Sequence, residues 1–378
     1  MKPNQKKQNS PIQRVVVKVG SNVLTAPAGL NLEAIASISN QICQLLDQGN
    51  QIILVSSGAM ASGMKKMGFP KRPEAIPKRQ AIAAVGQAGL IREWEKAFSR
   101  FDRKVAQILL TSDDLTSRKR YLNARNTMNT LLNWQVVPII NENDTIMVEE
   151  IKLGDNDNLA AMIALLLDAD TFINLTDIDG LYDKDPRVYS DARLIPRVAT
   201  FSKQIEAYAG DIPGALGTGG MLSKIKAARK VTASGIPMVI AKGYRPDILI
   251  RLAAGEAHGT FFVPRKHKLN RKKCWIGYTV NPRGTIRIDD GAAKALLNDG
   301  KSLLPSGIVE VQGRFPMGSV VAVIAPGDQL IGNGLVNYNS DEIRTIMGLK
   351  TIQIQSRLGQ KTYDEVIHRD NLVITREF

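Results

Sequence analysis

The sequence predicts an α/β protein, with a mostly parallel central sheet flanked by helices and a small β-rich C-terminal domain. Three observations carry that prediction. Short β-branched runs alternate with segments of helical period from Arg14 to Ala241. Polar, glycine-containing turns follow the strand-like runs, and one-way crossovers bring such turns to a single sheet edge. Beyond Pro264 the pattern changes to short strands separated by turn residues.

The elements follow in order. Arg14 to Val19 reads as a buried strand turned over by Gly20-Ser21-Asn22. Asn31 is placed to cap a helix that runs to about Gln48 and is closed by Gly49. Gln51 to Val55 is a second strand, ending in Ser56-Ser57-Gly58, and a long helical pattern follows Pro77 through Trp94 to Phe98. Lys104 to Leu110 is a third strand, and Ser117 to Asn133 a further helix. Val136 to Ile140 is a fourth, running into Asn141-Glu142-Asn143-Asp144. Next comes Leu153-Gly154-Asp155-Asn156-Asp157-Asn158, with Asp157 and Asn158 at the N-cap of a helix covering Leu159 to Leu167. A fifth strand ends in Thr176-Asp177. Lys203 to Tyr208 reads as a helix, Gly210 to Gly220 as a glycine-rich loop, Leu222 to Ala233 as a helix and Met238 to Ala241 as a strand. The C-terminal strands are expected at Gly284 to Ile288, Gly307 to Gly313, Ser319 to Ile324 and Gly332 to Tyr338, with one helix at Ala292 to Leu297. The expected domains are 12–263, a basic linker at 264–273, and 274–378.

Composition narrows the function. A chain of 378 residues suits two domains. The longest apolar run, Leu159 to Leu167, has nine residues, against roughly 20 for a membrane helix. With no signal-peptide pattern at the N-terminus, a cytoplasmic protein is expected. Cys43 and Cys274 cannot build a disulfide framework, and His258, His267 and His368 lack ligand spacing. Any metal is therefore expected on oxygen and phosphate ligands, as Mg²⁺ usually is. The net charge of +14 favours anionic partners, although short basic runs such as Arg271-Lys272-Lys273 also serve as solvated surface.

Several residues suit phosphate chemistry. Lys18 lies inside an apolar strand, where an ammonium group needs a partner or an anion; a lysine snorkelling from a strand end is the alternative. Gly214 to Lys224 opens a helix with glycines that let the backbone approach an anion. It matches neither the P-loop nor the G-x-G-x-x-G pattern, and a lid without a ligand role stays open. Asp/Asn/Gly clusters also mark ordinary turns. Lysines, N–H-rich turns and carboxylates without a catalytic His or Cys suit phosphoryl transfer, which needs charge stabilisation and alignment.

The blocks that carry these features occur together and in order: Val17-Lys18-Val19-Gly20-Ser21, Val55-Ser56-Ser57-Gly58-Ala59, Asn141-Glu142-Asn143-Asp144, Gly154-Asp155-Asn156-Asp157-Asn158, Leu175-Thr176-Asp177 through Asp185-Pro186-Arg187, and Gly217-Thr218-Gly219-Gly220-Met221. Over about Arg14 to Lys242 they resemble the amino acid kinase family, and the part from about Cys274 to Leu358 looks like a PUA domain, a β-rich module often found in RNA-modifying proteins. The resemblance implies an amino acid kinase-like fold and ATP-dependent phosphorylation of the side-chain carboxylate of L-glutamate to L-glutamyl 5-phosphate, the first step of proline biosynthesis. By motif, Lys18 and Lys224 would contact the transferring phosphoryl group, with Asp157 holding both. Ser57, Asp144 and Asn156 would bind glutamate, Asp144 being suited to its ammonium group. Lys18, Thr176, Asp177, Thr218, Gly219, Gly220, Met221, Leu222, Ser223 and Lys224 would contact the nucleotide, with Mg²⁺ arriving on ATP. The resemblance also implies a homo-oligomer inhibited by L-proline, and leaves RNA binding by the PUA-like part open. Family members acting on acetylglutamate or aspartate are the alternative within kinases; an RNA-binding protein is the alternative outside them.

Overall fold

Strand β1 (Arg14–Val19) is buried along nearly its whole length. Such continuous burial is what a parallel strand covered on both faces requires, and it explains the uninterrupted valines. The computed structural model describes residues 13–26, 29–146, 156–210, 220–266 and 271–375. The chain divides into two units, Met1–Asp114 with Tyr121–His267, and Leu115–Arg120 with Lys268–Phe378.

In the first unit, β1 is followed by α1 (Leu32–Asp47), β2 (Gln51–Ser56), α2 (Ala59–Met67), α3 (Ile76–Ser99) and β3 (Val105–Leu110). Then come α4 (Arg118–Asn133, whose first residues cluster with the second unit), β4 (Val137–Glu142), α5 (Asn156–Leu167), β5 (Thr171–Thr176), β6 (Arg197–Val198), α6 (Met221–Ala233), β7 (Met238–Lys242) and β8 (Thr260–Phe262). The eight strands form one sheet in the order β3-β4-β2-β1-β5-β7-β8-β6. From β3 to β7 every neighbouring pair is parallel, and β8 runs antiparallel to β7. The chain leaves β1 toward β2 on one side and returns to β5 on the other. Carboxyl ends flanking such a switch are where open α/β sheets bind ligands.

Local sequence explains the boundaries. The Asn31 side chain accepts from the Ala34 N–H (3.1 Å) and so starts α1 where a cap was expected. Gly58 turns β2 into α2 with φ +107°, a left-handed conformation, and a Cβ there would sit 3.2 Å from Leu30. Gly86 lets α3 close on α2, because a Cβ would lie 1.8 Å from the Ala59 carbonyl oxygen. Helix α5 is apolar around its circumference, as a helix buried on all sides must be, and it packs against β1 and α6. It begins at Asn156, so Asp157 and Asn158 lie in its first turn rather than at the cap. Both side chains are engaged by other elements, Asp157 by Lys18 and Asn158 by Lys230.

The second unit holds a five-stranded sheet of β9 (Thr285–Ile288), β10 (Ile308–Gln312), β11 (Val320–Ala325), β12 (Gln329–Leu335) and β13 (Leu372–Ile374), ordered β10-β9-β11-β12-β13. Its core includes Ile286, Val321, Val323, Ile331, Ile343 and Leu372. Beyond the single helix expected there, the described residues form others, among them Ser340–Ile346, opened by a capping box between Asn339 and Glu342. Within this unit Trp275 donates to the Leu115 carbonyl oxygen (3.3 Å), and Arg118 lies over the Trp275 ring.

Candidate active site

Lys18 is the fifth residue of β1, and its register partners are Val55 on β2 and Asn174 on β5. Partnered residues of parallel strands face the same side, so Lys18 and Asn174 project together. Val15, Val17 and Val19 face the opposite side, in the core with α1. Both polar side chains meet Asp157: Lys18 Nζ lies 2.7 Å from Oδ1, and Asn174 Nδ2 donates to the same oxygen at 2.9 Å. From α6, Ser223 Oγ (2.5 Å) and Lys224 Nζ (3.1 Å) donate to the other oxygen. Asp157 is 1% exposed, and Lys18 and Lys224 are each 5% exposed.

Burial alone would push the Asp157 pKa up. The two ammonium groups, with hydrogen bonds from Lys18 and Ser223, outweigh that effect and hold the carboxyl well below the usual range. Asp157 thus answers two buried ammonium groups at once, and Asp177 lies close enough to Lys224 to share in balancing them. An anion entering here meets two cations already held in position. The first turns of α5 and α6 both meet here, and their N–H groups favour the same charge.

Beside the triad, Thr176 ends β5, and its hydroxyl donates to Asp177 (3.0 Å), which also accepts from Asn22 Nδ2 (2.9 Å). Burial opposes the charge on Asp177, but these hydrogen bonds outweigh it, and Lys224 adds to them, so the carboxyl stays ionised at lower pH than usual. Tyr244 in turn donates to the Asn22 carbonyl oxygen. Gly220 is the N-cap of α6; Met221 is buried and Leu222 half-exposed. Thr218 and Gly219 lie outside the described residues, as do Gly154 and Asp155.

A second group of side chains is neutral. Asn156 Nδ2 donates to Ser57 Oγ and to Asn141 Oδ1, each at 3.0 Å. Asn141 Nδ2 donates to Gln87 Oε1 (2.7 Å). Asp144, just past β4, stands apart from this chain. Burial raises its pKa to about 6, with the nearby Arg72 guanidinium opposing the rise.

The structure thus brings Lys18, Asp157, Ser223 and Lys224 into direct contact, and joins Ser57 to Asn156. Sequence reasoning missed Asn174 and Gln87, and quoted Asn141 in a strand-end motif without giving it a role. Asn174 did leave a signal, as an amide inside the apolar run Phe172-Ile173-Asn174-Leu175, where it is fully buried. Among the described residues, no group of three or more His, Cys, Asp or Glu side chains is placed to hold a metal ion.

Comparison with known proteins identifies the family. The amino acid kinase family pattern matches residues 13–242, and the PUA domain pattern matches residues 284–358. A protein of Caldanaerobacter subterraneus named glutamate 5-kinase is 50% identical over 362 residues, covering 96% of this chain and 97% of that protein. A glutamate 5-kinase of Syntrophus aciditrophicus is 48% identical over 376 residues, covering 100% of this chain and 98% of that one. The chain therefore belongs to the amino acid kinase family and, within it, to the glutamate 5-kinases that carry a C-terminal PUA domain.

Proposed function

We propose that this chain transfers the terminal phosphoryl group of ATP to the side-chain carboxylate of L-glutamate, giving L-glutamyl 5-phosphate, the first step of proline biosynthesis. The Lys18–Asp157–Lys224 triad is the observation that supports this reading, because its two buried ammonium groups sit where strand ends and two helix starts converge. Glutamate's carboxylate is ionised at neutral pH and attacks without a general base. Catalysis then consists of alignment and charge stabilisation. Lys18 and Lys224 neutralise the charge that spreads over the phosphoryl oxygens, while Asp157, held by Asn174 and Ser223, keeps both ammonium groups at fixed positions. Thr176 and Asp177 border the nucleotide, and the segment Thr218 to Lys224 wraps its phosphates. Mg²⁺ would arrive on the phosphate oxygens of ATP and supply further charge neutralisation.

Ser57, Asn156 and Asp144 bind glutamate, with Asp144 facing the α-ammonium group. L-Proline shares the α-amino and carboxylate pattern and competes for the same groups. We further assign the enzyme to the cytoplasm as a homo-oligomer; for the PUA unit two roles stay open, RNA binding or tuning of the kinase. RNA affinity that falls steeply with salt supports the first role, and no binding at low salt removes it.

The test of the reaction is ADP release from Mg-ATP with L-glutamate, L-aspartate and N-acetyl-L-glutamate side by side, with hydroxylamine trapping the acyl phosphate. Turnover restricted to L-glutamate is expected. Turnover with either other acid alone, or with none, overturns the assignment.

A further inference from the structure

Helix α3 carries an apolar stripe toward the sheet, with Ala83, Leu90 and Trp94 buried along it. Gln87 lies on the same stripe, at helical spacing from all three, where an apolar residue would be expected. Its amide oxygen accepts from Asn141 Nδ2 at 2.7 Å. That contact is one end of a chain whose polarity can be worked out from a fixed starting point.

The starting point is the backbone N–H of Glu142, which lies 2.8 Å from the Asn141 side chain. A backbone N–H can only donate, so the Asn141 atom facing it is Oδ1. The Asn156 atom that approaches the same Oδ1 must then be its nitrogen. The remaining Asn141 atom is its nitrogen, and it needs an acceptor, which Gln87 provides. With Asn156 Nδ2 committed to Asn141 and Ser57, two consequences follow. Ser57 Oγ already accepts, so its own proton is available to a ligand oxygen. Asn156 Oδ1 is buried and has no donor among the described residues. Burying an acceptor in that state costs free energy unless a ligand supplies a proton. On the proposed reading the ligand is glutamate, with both carboxylates ionised, and its only donor is the α-ammonium group.

We infer that Gln87 is a positioning residue for the amino-acid substrate: by accepting from Asn141 Nδ2 it holds in place the amide whose direction the Glu142 N–H sets, and so keeps the Asn156 oxygen turned toward the ammonium group and the Ser57 proton for a carboxylate. This role rests on the glutamate reading above. It is separate from the phosphoryl chemistry, because none of the hydrogen bonds of this chain involves Lys18, Asp157 or Lys224.

The experiment compares Gln87→Met and Gln87→Glu with the unmodified full-length enzyme, by steady-state kinetics in both substrates. Met keeps the length and helix propensity but has no strong acceptor; Glu restores an acceptor oxygen at the same place. Gln87→Met is expected to raise the glutamate KM about tenfold, the loss of one oriented contact to a charged group, while kcat and the ATP KM move less than about twofold. Gln87→Glu is expected to recover most of that loss. A glutamate KM within about twofold of the parent overturns the inference. So does a parallel rise in both KM values, or a Gln87→Glu enzyme no better than Gln87→Met. Should Gln87→Met fail to fold, Gln87→Ala carries the same expectation and the same refutations. If the unmodified enzyme forms no acyl phosphate from L-glutamate, the reaction assignment fails and this role falls with it. If it does, a normal Gln87→Met enzyme removes the Gln87 role alone.

Discussion

The two ends of the candidate site solve opposite problems. The Lys18–Asp157–Lys224 end is ionic and buried, with two ammonium groups on one carboxylate. The Gln87–Asn141–Asn156–Ser57 end consists of neutral groups whose donors and acceptors are fixed in direction. Full charges suit a centre where charge moves during reaction, because they act at long range and stabilise the change wherever it spreads. Oriented neutral groups suit recognition, because a wrongly placed donor or acceptor leaves a buried polar group unpaired. The comparison predicts that damage at the first end appears in kcat and damage at the second in the glutamate KM.

The largest effect is expected from Lys224→Ala. Losing one charge-stabilising donor should lower kcat by about 10³-fold, roughly 4 kcal/mol of barrier, with little change in the glutamate KM. Its stability should hold, because Lys18 and Asp157 remain as a balanced pair. A near-normal kcat sinks the assignment of the phosphoryl end.

Asp157→Asn breaks the same end differently. It leaves two buried ammonium groups without their shared carboxylate, a loss of about 3 kcal/mol or more in stability. Thermal unfolding should show the loss without nucleotide and a partial recovery with Mg-ATP. Equal stability of variant and parent would mean that the carboxylate is not what holds the lysines.

Asp144 sharpens the contrast through pH. Burial raises its pKa to about 6, so it loses its charge as pH falls through 6, well above the range where Asp157 is protonated. Attraction for the substrate ammonium is present above that pH and lost below it. The glutamate KM should rise toward a limiting tenfold per unit below pH 6, with kcat at saturation nearly flat. Bound ammonium keeps the carboxylate ionised, which is why saturation hides the effect. A KM unchanged down to pH 5 would remove Asp144 from ammonium binding.

Asn31→Ala has the smallest expected effect. Loss of the α1 cap should cost about 1 kcal/mol and lower Tm by roughly 2–4 °C, with the glutamate KM unchanged. The Asn31 side chain also meets Tyr244, which donates to Asn22 beside Asp177, so any kinetic change should appear in the ATP KM. A raised glutamate KM would show that the neutral end is not independent of general stability.

Much of the first unit was legible because its signals are local. The strand at Arg14–Val19 needs only its run of β-branched residues, and Asn31 announces a cap by its position before a periodic segment. Lys18 was legible for a similar reason: an ammonium group in an apolar strand requires a partner. The weaker readings fell where a signal depends on neighbours. Strand β12 (Gln329–Leu335) begins earlier than Gly332, because pairing with β11 sets its extent rather than its own composition. In helix α5, other elements engage Asp157 and Asn158, the side chains expected at its cap, and both lie in its first turn.

What the sequence alone determined is therefore the class of the fold, the order of its elements and the kinds of chemical group at the strand ends. These depend on backbone propensity, hydrophobic period and turn chemistry, all short-range properties of the chain. Only the tertiary structure decided which groups meet. The register of β1 against β5 puts Asn174 beside Lys18, and the packing of α6 on α5 brings Lys224 to Asp157. The approach of α3 to β4 lets Gln87 reach Asn141. No local pattern encodes those meetings, because a hydrogen bond or an ion pair is set by distance and direction between residues that the chain itself keeps far apart.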